Sequence, residues 1–123
     1  MSRAKRLNLV LDIAERKENK AAEAFELARR LWMEDQEKMQ DLQRYYSDYE
    51  LAFTQPSTRM RAQDIAQQRG FLSQLAEALR QQQQVVERRR GIADTKQSDW
   101  QSARLKRRAL EDLIDRLKAR SEE

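Results

Sequence analysis

Steps of four and three residues from Leu7 land on Leu11, Ala14, Glu18, Ala21, Phe25, Ala28, Trp32, Asp35, Met39, Leu42, Tyr46, Tyr49 and Phe53, and only Glu18 and Asp35 interrupt the apolar series. A stripe held in phase over about seven heptads has a period of 3.5 residues. That period belongs to a left-handed supercoil seam, not to a face on a globular domain. It predicts a helix over about residues 4–54. A second seam follows through Ile65, Gln68, Leu72, Leu75, Leu79, Gln82, Val86, Arg89, Ala93, Lys96, Trp100, Ala103, Arg107, Leu110, Ile114 and Leu117, and predicts a second helix over about residues 59–120.

Between the seams lies "TQPSTR", with the only proline of the chain at Pro56. The residue before a proline is pushed out of the helical region and the proline itself donates no hydrogen bond, so the chain turns at about residues 55–58, with Ser57 or Thr58 free to cap the next helix. The expected fold class is all-α: a long antiparallel two-helix coiled-coil hairpin, residues 1–123 forming a single domain. A turn centred near Ser57 makes facing seam residues sum to about 114. Ala14 then faces Trp100, Ala21 faces Ala93, Ala28 faces Val86, Met39 faces Leu75, Leu42 faces Leu72, and Glu18 meets Lys96. Gln82 falls opposite Trp32 and Arg89 opposite Phe25, their stems packing while their polar ends reach water. In this register Leu110, Leu113, Ile114 and Leu117 overhang the start of the first helix, as a surface for another chain, as a frayed end, or as the sign of a register one heptad different.

Composition narrows the function. Hydrophobic residues make up 39% of the chain against 37% charged, a ratio that supports a narrow seam better than a broad core. There is no cysteine and no histidine. Thiolate chemistry, the usual zinc ligands and the commonest general base at neutral pH are thereby missing, and no pair of acids stands out from ordinary helix charges. The expectation is a chain that is not an enzyme and takes no cofactor, metal or small-molecule substrate. The apolar run "LNLVLDIA" near the N-terminus is short and carries Asn8 and Asp12, unlike a signal peptide, and no stretch approaches the length that spans a bilayer. A soluble, cytoplasmic protein is expected.

Residues 1–53 carry 10 basic and 11 acidic side chains, whereas residues 54–123 carry 15 and 10. The densest basic points are "ERRRG" and "LKRRA", which open an alternative reading: a basic coiled-coil adaptor that binds nucleic acid or an anionic surface through Arg88, Arg89, Arg90, Lys106, Arg107 and Arg108. Against nucleic acid, acidic residues stay interspersed and no aromatic stacking pattern accompanies the arginines. Near the turn, Tyr45, Tyr46, Tyr49, Phe53 and Phe71 gather, more rings than a two-helix seam buries completely, and partly exposed rings on a rigid surface are common anchors for protein partners.

The segments "LVLDIAERKENKAAEAFELARR", "LQRYYSDYELAF", "RGFLSQLAEALRQQQQVVERRR" and "SDWQSARLKRRALEDLIDR", in this order, resemble the FliJ family of the flagellar type III protein export apparatus, over most of the chain. The resemblance implies a hairpin similar to the central stalk subunit of rotary ATPases, peripherally associated with the inner-membrane export apparatus. Its implied partners are the export ATPase ring, the export gate membrane protein and export chaperones. The family's surface near the turn falls on Leu42, Tyr45, Tyr49, Phe71, Leu75, Ala78 and Gln82, and is implied to meet the export gate. Leu42, Tyr49 and Leu75 belong to the seam, so Tyr45, Phe71 and Ala78 are the better placed to be touched. The ATPase-facing end is implied to be formed by the two termini, where Arg3, Lys5, Arg6, Lys106, Arg107 and Arg108 lie together. Family members usually continue beyond the equivalent of Glu123 with a further charged helical stretch.

Overall fold

Alanine, leucine, glutamate, glutamine, lysine and arginine dominate the sequence, and these residues lose little freedom in a helix. The computed structural model, which describes residues 2–54 and 60–122, accordingly holds two helices: α1 over Arg3–Phe53 and α2 over Ala62–Glu122. They pack antiparallel as an all-α hairpin, with no strand among the described residues.

Each helix start has a local reason. Ser2 caps α1, its Oγ accepting the backbone N–H of Lys5 at 3.2 Å. At the other end Thr54 Oγ1 donates to the Leu51 carbonyl at 2.9 Å, occupying one of the last carbonyls of the helix. Asp64 stands in the first turn of α2 and its Oδ2 accepts the backbone N–H of Arg61 at 3.3 Å, the returning half of a capping box. The expected turn at residues 55–58, with Pro56 and the capping residues Ser57 and Thr58, lies outside the described residues. The described start of α2 instead carries its cap at Arg61 and Asp64.

Residue contacts divide the chain into two compact units. One, here the terminal unit, comprises Met1–Arg29 and Gly91–Glu123; the other, the turn unit, comprises Arg30–Arg90. In the terminal unit Ala28, Ala93 and Ile114 are buried, and Phe25 stacks on Trp100 with ring centroids 6.0 Å apart. Arg104 lies over the Trp100 ring at 5.6 Å, a cation–π contact that also shields the indole face. In the turn unit Val86 and Asp35 are buried and the leucines at 42, 72, 75 and 79 are half-buried. Trp32 Nε1 is buried there with no hydrogen-bond partner among the described residues, an unpaired donor that weakens the seam.

The seams are those the heptads predict, but the register differs. Phe25 with Trp100 and Glu18 with Arg107 sum to 125, Asp35 with Arg89 to 124, and Tyr49 with Phe71 to 120, in place of about 114. Glu18 therefore meets Arg107 and not Lys96, Trp100 meets Phe25 and not Ala14, and both Gln82 and Arg89 reach Asp35. The reason lies at the turn end. Phe53, the last residue of α1, packs beside Phe71, so α2 has already run from Ala62 to Gly70 before the two helices share a layer of rings.

This shift removes the expected overhang in the terminal unit. Ile114 is the most buried of the core residues at 3% exposure, and Ile114 and Leu117 line a shallow groove with Ala4 and Leu7. Leu113 alone of the four apolar residues stays exposed.

Candidate functional site

Four rings of the turn unit, Tyr45, Tyr49, Phe53 and Phe71, lie towards the end of α1 and the start of α2. Tyr49 and Phe71 meet edge to face at 4.8 Å, Phe53 tilts against Tyr49 at 5.8 Å, and Phe53 and Phe71 lie 6.3 Å apart. Such spacings suit the quadrupoles of aromatic rings, and each ring fixes its neighbours. The cluster is still open to solvent: Tyr49 is 41% exposed and Phe71 38%. Tyr45, one turn before Tyr49 on the same face, is 57% exposed and has no ring contact among the described residues.

The other residues expected on this surface separate by burial. Leu42, Leu75 and Ala78 are half-buried in or beside the seam. Gln82 is committed inward: its Nε2 donates to the Asp35 carbonyl at 2.8 Å and to Asp35 Oδ1 at 3.3 Å. Phe53, absent from the implied surface, is the ring that joins Tyr49 to Phe71, and its place as the last heptad residue of α1 is the signal that marks it.

The six basic residues expected at the termini do not form one cluster, because the register places them at different levels. Arg107 sits at the level of Glu18, its Nε donating to Glu18 Oε2 at 2.6 Å, its Nη2 to Oε1 at 3.2 Å and its Nη1 to Glu111 Oε2 at 2.8 Å. Arg3 instead lines the groove with Ile114, Leu117 and Lys118. Twelve residues of helix separate Arg6 from Glu18, about 18 Å at 1.5 Å per residue. Arg3, Lys5, Arg6, Lys106 and Arg108 are exposed, whereas the Arg107 side chain is only 20% exposed.

The fork of Arg107 closes on Glu18 and ties the two helices of the terminal unit together. The hydrogen bonds from Arg107 hold the Glu18 carboxyl below the usual carboxylate range, against the opposing effect of burial and with smaller help from the charges of Arg107, Arg104 and Arg108. The same bonds to Glu18 raise the Arg107 guanidinium further above its already high value. Asp35 does the corresponding work in the turn unit, where Arg89 Nε donates to its Oδ2 at 3.0 Å and Lys38 stands 4.0 Å from its Oδ1.

Among the described residues no group of three or more His, Cys, Asp or Glu side chains is placed to hold a metal ion, and no helix is long and apolar enough to cross a membrane. The turn unit exposes the rings of Tyr45, Tyr49 and Phe71, and the terminal unit exposes Arg3, Lys5, Arg6, Lys106 and Arg108. Two long helices zipped along a heptad seam with such surfaces define a helical-hairpin coiled-coil protein.

The model of the family described as the flagellar FliJ protein matches residues 3–123, essentially the whole chain. The chain belongs to the FliJ family and is a flagellar export-related coiled-coil protein. No curated protein and no solved structure matches it.

Proposed function

We propose that the chain is a non-enzymatic, cytoplasmic component of the flagellar type III export machinery, peripherally associated with the inner-membrane apparatus. It couples the export ATPase ring to the export gate and handles export chaperones. The family match supports the machinery, and one observation supports the mode of action: the mutually packed yet open cluster of Tyr49, Phe53 and Phe71 with Tyr45 beside it. A rigid, partly exposed aromatic cluster loses little side-chain freedom when a partner covers it, which makes it a good anchor. In this reading Tyr45, Tyr49 and Phe71 touch the gate, with Leu42, Leu75 and Ala78 supporting them from the seam, and Gln82 contributes through its hold on Asp35. Arg3, Lys5, Arg6, Lys106 and Arg108 face the ATPase ring from separate levels of the terminal unit, and Arg107 keeps that unit in register.

The basic-adaptor reading loses two of its six cations to the fold. Arg89 is bound to Asp35 and Arg107 to Glu18 and Glu111, which leaves Arg88, Arg90, Lys106 and Arg108 as the exposed members. A pull-down of the purified chain against the matching export ATPase and the cytoplasmic part of the gate, at low and high salt, separates the readings. Gate binding that resists salt and is lost in Tyr45→Ala/Phe71→Ala supports the export reading. Retention on DNA that vanishes at high salt, with neither protein bound, replaces it with the adaptor.

A further inference from the structure

The terminal unit also carries an apolar groove that the proposed function leaves unused, although the ATPase-facing Lys106 is part of its lining. A groove of about 380 Å³ runs along one side of its seam, floored by Ala14, Ala103 and Leu110 and walled by Val10 and Ile13. Val10 and Ile13 are each about half exposed, although β-branched side chains on a charged helix are ordinarily turned into a seam. Lys17 and Lys106 line the same groove, and neither forms an ion pair among the described residues; Asp99 is its one acid. Arg6 precedes Val10 by four residues and Lys17 follows Ile13 by four, so on α1 a basic residue stands one turn to either side of the apolar pair.

We propose that this groove is a docking site for a short acidic amphipathic helix of a partner protein. From Asp99 to Leu110 α2 rises through eleven steps, about 16 Å or three turns, the length over which a docked helix places two or three apolar anchors at i, i+3/i+4 and i+7. The groove floor takes those anchors. Lys17 and Lys106 then meet carboxylates flanking them, giving the encounter its direction and its preference for acidic over basic helices.

Charge decides against the competing occupants. A second copy of the chain laid across this surface brings its own Lys17 and Lys106 onto the same narrow strip, four ammonium groups against two Asp99 carboxylates. An anionic lipid surface takes up an apolar face that stands out from its helix, whereas here the apolar floor lies between two helices with the lysines at its border.

The test uses the full chain and a fluorescein-labelled designed peptide of about 18 residues, Leu at the heptad anchor positions and Glu elsewhere on its polar face, beside a counterpart with Lys for Glu. The acidic peptide binds at least about tenfold more tightly than the basic one at low salt, and Lys17→Glu/Lys106→Glu reverses that order while leaving the groove floor intact. Val10→Ser/Ile13→Ser abolishes binding of both peptides; these side chains are exposed, so circular dichroism shows the helices retained. Equal binding of the two peptides, or indifference to either double variant, overturns the proposal. So does sedimentation of the chain as a dimer that Val10→Ser/Ile13→Ser dissociates, or binding to phosphatidylcholine–phosphatidylglycerol vesicles through Val10 and Ile13 without peptide binding. Neither the export ATPase nor the gate enters the test, so its failure leaves the export reading standing, and failure of the pull-down leaves the groove in place.

Discussion

Both units place an acid from α1 against an arginine from α2 inside a largely apolar seam, and they do so differently. In the terminal unit Glu18 is long enough to accept two bonds from the Arg107 fork, whose third nitrogen is held by Glu111. In the turn unit the shorter Asp35 is buried at 8% exposure and accepts a single bond from Arg89, while Gln82 bonds both its carboxylate and its backbone carbonyl. A forked pair that keeps contact with water is a self-sufficient clamp. A buried aspartate held by two donors, Gln82 and Arg89, is a network, and its worth lies in naming which layer of α2 belongs opposite which layer of α1. The exposed large hydrophobics differ in part: those of the terminal unit are all aliphatic, Val10, Ile13, Leu105 and Leu113 among them, whereas the turn unit adds aromatic Tyr45, Tyr49 and Phe71 to Met33, Leu51 and Ile65.

The largest effect is expected in the terminal core. Ile114→Ala should cost about 2–3 kcal/mol, the lower part of the range for buried isoleucine truncation, because a two-helix seam leaves room to collapse. Denaturant unfolding measures it, and native-state amide exchange locates it. Protection should fall chiefly over residues 3–29 and 91–120. A cost under about 0.5 kcal/mol would mean that residue 114 overhangs the partner helix after all, as ordinary surface positions do.

A smaller change of opposite sign should come from the buried network. Replacing Asp35, Gln82 and Arg89 together by Leu should leave the turn unit as stable as before or about 1–2 kcal/mol more stable, since Arg89 is partly solvated and the desolvation it relieves is modest. The loss should appear as mixed registers: spin-label distances between α1 and α2 within residues 30–90 should broaden. A single sharp distance in the triple variant would show that the apolar layers alone fix the alignment.

That outcome bears on what was legible in the sequence. The heptads locate the seams closely: every seam position of α1 from Leu7 to Phe53 except Tyr49 is at least half-buried, and so is every seam position of α2 except Ile65. They do not locate the register, because Leu or Ala meets Leu or Ala in many alignments. The charged positions carry the missing information. In the alignment centred on Ser57, Glu18 finds Lys96, but Asp35 faces Leu79. Only an alignment summing to 124–125 gives both acids an arginine. The aromatic cluster was legible as a group of rings near the turn, while the Val10–Ile13 groove depends on the register and could be seen only once the helices were aligned.

The two glycines allow one substitution per unit. Gly70 in the turn unit and Gly91 in the terminal unit both sit inside α2 without positive φ, and a Cβ at either would meet nothing within 4 Å. Each change to Ala should therefore stabilise by about 0.5–1 kcal/mol, seen as a higher unfolding midpoint. Unequal gains would show that one glycine does work beyond backbone geometry. A loss at Gly91 alone would point to the Thr95 hydroxyl bonded to its carbonyl at 3.0 Å.

The smallest effect is a pH dependence that contrasts Glu18 with Glu77. The hydrogen bonds from Arg107 lower the Glu18 carboxyl, and those from Arg80 lower Glu77. A carboxyl whose folded pKa lies below its unfolded value adds stability that is fully present above the unfolded value and is lost as pH falls through the folded one. The unfolding midpoint should thus decline as acid is added through and below the ordinary carboxylate range, and Glu18→Gln should remove part of that decline. Glu77→Gln should remove less. Arg80 is only three residues away on the same exposed helix face, so that pair is solvent-screened and its geometry belongs to the helix alone, whereas Glu18 meets Arg107 only when the two helices are joined. Midpoints that respond equally to the two substitutions would show that the Glu18–Arg107 clamp adds nothing beyond a surface pair, and the contrast between clamp and network would have to be carried by Asp35 alone.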